Sequence, residues 1–137
     1  MRVADDAVFF GVRSSRWFVD YRLLNWGDAE AKAIAALMQS GATPNLRWLR
    51  LFANNVGPEG MKAVVKALHK TKRITHIQMF RNRLGDDGLM ELAKALEADD
   101  KFLPNLKEVT VSENGASDAA KAALTKAVKA RKAKCNV

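Results

Sequence analysis

Cysteine is nearly absent: one residue, Cys135, in a chain of 137. A single thiol cannot close an internal disulfide, so no disulfide framework holds the fold. No apolar run approaches the roughly 20 residues needed to span a bilayer. The start, Met1-Arg2-Val3-Ala4-Asp5-Asp6, carries acids where a secretory or mitochondrial leader would avoid them. An intracellular protein is expected, with cytoplasm and organelle interior not separated. Catalytic signatures are missing as well. There is no phosphate-cradling glycine loop, no zinc-ligand spacing and no His-Glu-x-x-His. Ser14, Ser15, Ser40, Ser112 and Ser117 have no base partner readable from sequence. No catalytic residue, metal or cofactor is therefore expected, and the chain is read as not an enzyme. Acids are lacking locally: the last 19 residues hold none and six basic groups.

What is present is enough for one domain. Apolar residues make up 48% and charged residues 28%, a globular composition. Lys plus Arg is 23 against 15 Asp plus Glu, a formal charge of +8. Residues 1–118 contain 17 basic and 15 acidic side chains, so the body is close to neutral and the excess is C-terminal.

The organising feature is an internal repeat. Leu46-x-x-Leu49-x-Leu51-x-x-Asn54 recurs as Ile74-x-x-Ile77-x-Met79-x-x-Asn82 and as Leu106-x-x-Val109-x-Val111-x-x-Asn114. A weaker copy upstream has Val19 and Tyr21 in the strand positions and Leu24 where Asn is expected. Each copy runs on into a helical pattern: Ala31, Ile34, Ala35, Met38; Met61, Val64, Val65, Leu68; Leu89, Leu92, Ala93, Leu96. These spacings put the residues on one helix face. Pro58 suits a first turn, and Asp28, Glu59, Asp86, Asp87 and Asp118 lie where the helix dipole favours negative charge. Each unit is thus a short strand, a turn and a helix.

With these motifs the chain resembles the leucine-rich-repeat proteins, specifically the long-repeat subclass typified by the ribonuclease inhibitor. The resemblance covers about residues 16–128. It implies an α/β fold: a right-handed solenoid of about four repeats, with a short parallel sheet on the concave side and helices on the convex side. The repeats would fall near 16–45, 46–73, 74–105 and 106–128, with an N-terminal segment 1–15 and a basic C-terminal tail 129–137. It also implies that Asn54, Asn82 and Asn114 form a buried ladder, and that Leu24 distorts the first turn. Lys121 and Thr125, at positions apolar in the middle units, suggest a terminal helix and a complete array; the second reading is a fragment of a longer one.

In such a repeat, alternate strand residues face outward. The outward set includes Phe18, Trp48, His76 and Glu108 in one row, and Arg22, Phe52, Phe80 and Ser112 in another. Arg50 and Gln78 lie between the rows, and Arg81 follows in the turn. Large aromatics with arginines have the composition of a binding hot spot. Phe18, Arg22, Trp48, Arg50, Phe52, His76, Gln78, Phe80 and Arg81 are therefore the candidate partner-binding residues. The bland counterpart is that Ala7-Val8-Phe9-Phe10-Gly11-Val12 folds across this face or adds a strand, making some aromatics intramolecular core. In the tail, Lys126, Lys129, Arg131, Lys132 and Lys134 either anchor an anionic partner or complement a helix dipole.

The expected function is a non-enzymatic protein–protein interaction module, a small accessory or scaffold subunit of a multisubunit complex. The repeat subclass suggests an alternative, a GTPase-activator-like regulator acting through a turn arginine such as Arg81 or Arg83. RNA or anionic-surface binding through the basic tail is the third reading; it ranks lower because an acidic helix interrupts any continuous basic groove.

Overall fold

The computed structural model describes the backbone of residues 18–20 and all of residues 24–137. The segment 1–15, Arg22 and the side chain of Phe18 lie outside the described residues. Strand and helix alternate throughout: β1 (Phe18–Asp20), α1 (Asp28–Gln39), β2 (Trp48–Arg50), α2 (Pro58–Leu68), β3 (His76–Gln78), α3 (Gly85–Ala98), β4 (Glu108–Thr110), α4 (Asp118–Lys129) and β5 (Lys134–Asn136). The strands form one parallel sheet in sequence order, each crossover made by a helix, as parallel pairing requires. The architecture is the expected α/β leucine-rich-repeat solenoid.

The core follows from the repeat. Leu46, Leu49 and Leu51, Ile74, Ile77 and Met79, and Leu106, Val109 and Val111 are all at most 6% exposed. They meet the inner helix stripes, among them Ile34, Met61, Val64, Leu89, Leu92 and Leu124, which are essentially inaccessible. Lys121 and Thr125 of α4 are half-buried, where their counterparts Met61 and Val65 are buried. A lone unit could not enclose these side chains; stacking makes the core continuous.

The turns after the strands are fixed by a side-chain ladder. Asn82 Nδ2 donates to Leu51 O (2.9 Å), Met79 O (2.9 Å) and Phe80 O (3.4 Å), while its Oδ1 accepts from Val56 N (3.0 Å). Asn114 repeats the scheme with Met79 O, Val111 O and Ser112 O, and accepts from Leu84 N. Asn54 donates to Leu51 O and accepts from Trp26 N at 3.0 Å. Just ahead of each Asn, Ala53, Arg81 and Glu113 adopt positive φ of 56° to 58°, an uncommon conformation for residues with a Cβ. At the first turn, Leu24 has no amide to offer and is 46% exposed. Its backbone N–H turns instead to Asn54 Oδ1 (3.0 Å), and the positive-φ residue falls after it, at Asn25.

A second tie joins helix starts. Asp28 Oδ1 accepts from Gly57 N (2.6 Å), and Asp86 accepts from Ser117 N (2.6 Å) and Ser117 Oγ (2.9 Å). These first-turn acids thus serve the neighbouring unit as well as their own dipole. The two Ser117 hydrogen bonds hold the Asp86 carboxyl below the usual carboxylate range.

The C-terminal segment differs from the tail expected at 129–137. Residues Lys134–Asn136 pair in parallel with β4, Cys135 opposite Val109, and Ala133 is buried. The half-turn before the strand is pinned by Arg131. Its guanidinium donates to Leu96 O (2.9 Å), Asp99 O (2.6 Å) and Phe102 O. Burial pushes the Cys135 thiol up from its ordinary value, which disfavours the reactive thiolate.

Candidate interaction face

Parallel pairing in register brings outward residues of successive units side by side. Phe18 lies opposite Trp48, Trp48 opposite His76, His76 opposite Glu108 and Glu108 opposite Lys134. The second register row runs Asp20, Arg50, Gln78, Thr110 and Asn136. Strand spacing is close to the centroid separation of two stacked aromatic rings, so flat side chains at one level of adjacent strands stack. The Trp48 and His76 rings lie 3.8 Å apart at 4°. Phe52 and Phe80, just past β2 and β3, lie 4.3 Å apart at 10°. Arg50 holds its guanidinium carbon 4.6 Å from the Trp48 ring centre, within cation–π range.

Of the candidate residues, Trp48, Arg50, Phe52, His76, Gln78 and Phe80 therefore share one surface, each half-buried. Centroid separations this short leave no gap between the rings. Arg81 is placed differently, at the rim: its Nε donates to Glu113 at 2.7 Å, with both side chains largely exposed. The tail residues scatter: Lys126 and Lys129 are exposed on α4, Lys132 precedes β5, Lys134 is in it, and Arg131 serves backbone carbonyls.

His76 is the histidine of this surface. Thr75 Oγ1 lies 2.8 Å from His76 Nδ1 and 3.1 Å from Arg47 O. The hydroxyl has one proton, and the carbonyl can only accept, so Nδ1 carries the donor hydrogen and neutral His76 presents Nε2 as an acceptor. Desolvation lowers the His76 pKa below 6.5; Glu108 opposes the shift, and Lys107 and Arg50 add to it. A depressed histidine means that the unfolded chain binds the proton more readily. Stability is therefore full above about pH 6.5 and declines as pH falls toward the folded-state value. Thermal melts at pH 7 and pH 5 should show a decline that is smaller in His76→Phe, and the His76 ring should titrate below 6.5 by NMR. A ring titrating above 6.5 would contradict this geometry.

On the β4–β5 side the surface turns polar. Asn136 Nδ2 donates to Thr110 Oγ1 (3.2 Å) and Glu108 Oε1 (3.4 Å). Asn136 was not a candidate from sequence, because β5 was not expected. The alternation Lys132-Ala133-Lys134-Cys135 is the local sequence signal that could have marked a strand.

The fold and surface can be set beside known proteins. A leucine-rich-repeat family model, described as "Leucine Rich repeat", matches residues 43–65 and 74–93, which take in β2 with the larger part of α2 and β3 with the larger part of α3. None of the curated proteins compared with the sequence matches it. Among solved structures, leiomodin-1 actin-binding site 2 superimposes with a TM-score of 0.72 at 13% identity, over 86% of this chain and 68% of that one. The tropomodulin C-terminal domain of Caenorhabditis elegans gives 0.59 at 22% identity, over 79% of this chain and 62% of that one. Identities this low carry the fold alone. In fold, then, the chain is a leucine-rich-repeat solenoid of about four units, extended by a fifth strand.

Proposed function

We propose that the chain is a non-enzymatic protein-interaction module, a small accessory or scaffold subunit of a larger assembly, docking its partner on the concave sheet. The observation that carries this reading is the pair of cross-strand stacks, Trp48–His76 and Phe52–Phe80, with Arg50 against Trp48. Stacking fixes the rings before any partner arrives, so less rotamer entropy is lost on binding. Trp and Arg are the residue types that concentrate binding energy at interfaces. Strand-to-strand steps of 30, 28 and 32 residues between β1 and β4 support the long, ribonuclease-inhibitor-like subclass. The leiomodin-1 structure is named for an actin-binding site, which makes actin the first partner to try.

The test is affinity purification at native expression, with actin assayed directly, comparing the natural chain with a Trp48→Ala, Phe52→Ala variant. Both residues are half-buried and outward, so circular dichroism should be unchanged. Affinity for the recovered partner should fall by about thirtyfold, the loss of roughly 2 kcal/mol typical of a hot spot. Undiminished binding would exclude the concave sheet as the docking surface.

A further inference from the structure

The end of the sheet at which the strands begin carries a second feature, separate from the aromatic surface. A cleft of about 270 Å³ is lined by Arg47, Arg73, Thr75, Asn105 and Lys107. Three of these are cations and none is an acid. The repeat itself does not require this charge. Pro44-Asn45-Leu46 and Pro104-Asn105-Leu106 bracket a middle copy that reads Lys72-Arg73-Ile74. At this position Asn105 has a structural role, since its Nδ2 donates to Lys72 O at 2.9 Å and ties one unit to the previous. Arg73 stands where that amide would be. Arg73 and Lys107 are exposed, and neither is paired with an acid among the described residues. The Thr75 hydroxyl is engaged by Arg47 O and His76, so the lining offers cationic donors from the segments that lead into β2, β3 and β4.

We propose that this cleft binds a phosphoryl group. A concavity lined by cations and no acid, with the exposed Arg73 and Lys107 at its surface, attracts an anion. A tetrahedral dianion presents oxygens toward several loops at once, which a planar carboxylate does not. A guanidinium grips two such oxygens in parallel, and a lysine supplies a point charge beside it. The source is either a soluble phosphate monoester or a lipid headgroup, which share this chemistry.

Titration of the full chain with inorganic phosphate, followed by ¹H–¹⁵N NMR against sodium chloride at equal ionic strength, tests the cleft. The Thr75 and Lys107 amides should shift saturably with phosphate only. Arg73→Ala, Lys107→Ala should weaken the response by about tenfold or more, the loss of charge-assisted bonds. A Lys121→Ala, Lys126→Ala control on α4 should leave it unchanged. Co-sedimentation with phosphatidylcholine vesicles carrying phosphatidylinositol 4-phosphate, lost in the cleft variant, would support a headgroup source. Phosphate binding without that co-sedimentation would support a soluble one. An equal response to chloride, or an undiminished response in the cleft variant, would overturn the proposal.

Discussion

Asn82→Ala is expected to remove roughly 2–4 kcal/mol of stability: the buried Val56 N–H loses its acceptor, at about 1–3 kcal/mol unpaired, while Leu51 O, Met79 O and Phe80 O each lose one bond and keep one from Asn54 Nδ2, Asn114 Nδ2 and Ala53 N. Asn82 serves Leu51 O, Met79 O and Phe80 O with its amide and Val56 N with its oxygen. It is 7% exposed, so water cannot replace these bonds without opening the turn. It also joins two units, bonding the chain on both sides of the β2–β3 step. For a domain of this size the melting midpoint should drop by on the order of 10 °C, and the urea midpoint should fall in parallel. Asn82→Asp separates the two halves of the side chain. It keeps an acceptor for Val56 N but turns a carboxylate oxygen toward carbonyls. Near neutral pH it should be at least as damaging as Ala. The buried carboxyl has a raised pKa in the folded state, so protonation restores a donor and stability should return as pH falls. A mild Asn82→Ala phenotype would mean that the turns are held by backbone bonding alone.

Arg131 carries the second large effect. Its guanidinium meets the carbonyls of Leu96 and Asp99 at the end of α3 and of Phe102 in the following turn. Carbonyls at a helix C-terminus have no partner within the helix, and a charged donor there is worth about 1.5–3 kcal/mol per well-made bond. Arg131 is half-buried, so about 2 kcal/mol is expected for Arg131→Lys, since an ammonium cannot span carbonyls that a planar fork reaches together. The signature should be local. Urea denaturation should report the loss, and hydrogen exchange should accelerate at Lys134 N, which donates to Lys107 O across β4–β5. Were Arg131 mainly an anchor for an external anion, the same variant would leave both readings unchanged.

These two residues mark what was and was not legible in the sequence. Asn82 was visible because it recurs at a fixed offset from apolar strand positions, and a recurring polar residue beside a core pattern has a structural cause. The helix stripes were legible for the same reason: Ala31, Ile34 and Met38, or Leu89, Leu92 and Leu96, keep one helical period. Arg131 sat instead in a run of Lys, Arg and Ala, where composition suggested a solvated tail. Its carbonyl partners lie 29 to 35 residues away and have no side-chain signature. Strand β5 was hidden likewise, since a three-residue strand offers only one period of alternation. On the interaction face, the outward set could be read from period two. The pairwise stacking of Trp48 with His76 and of Phe52 with Phe80 depends on register between units and needed coordinates.

The alternation within each three-residue strand has a consequence for how such a surface changes over generations. Leu49, Ile77 and Val109 point into the core, while Trp48, His76 and Glu108, one position away, contribute to the outer row. An outward residue can be exchanged with little penalty to packing, and the ladder asparagines, one turn further on, keep register whatever is displayed. Recognition and foldability are thereby nearly independent traits in this architecture. The TM-score of 0.72 at 13% identity is the same fold carried by a largely different set of side chains.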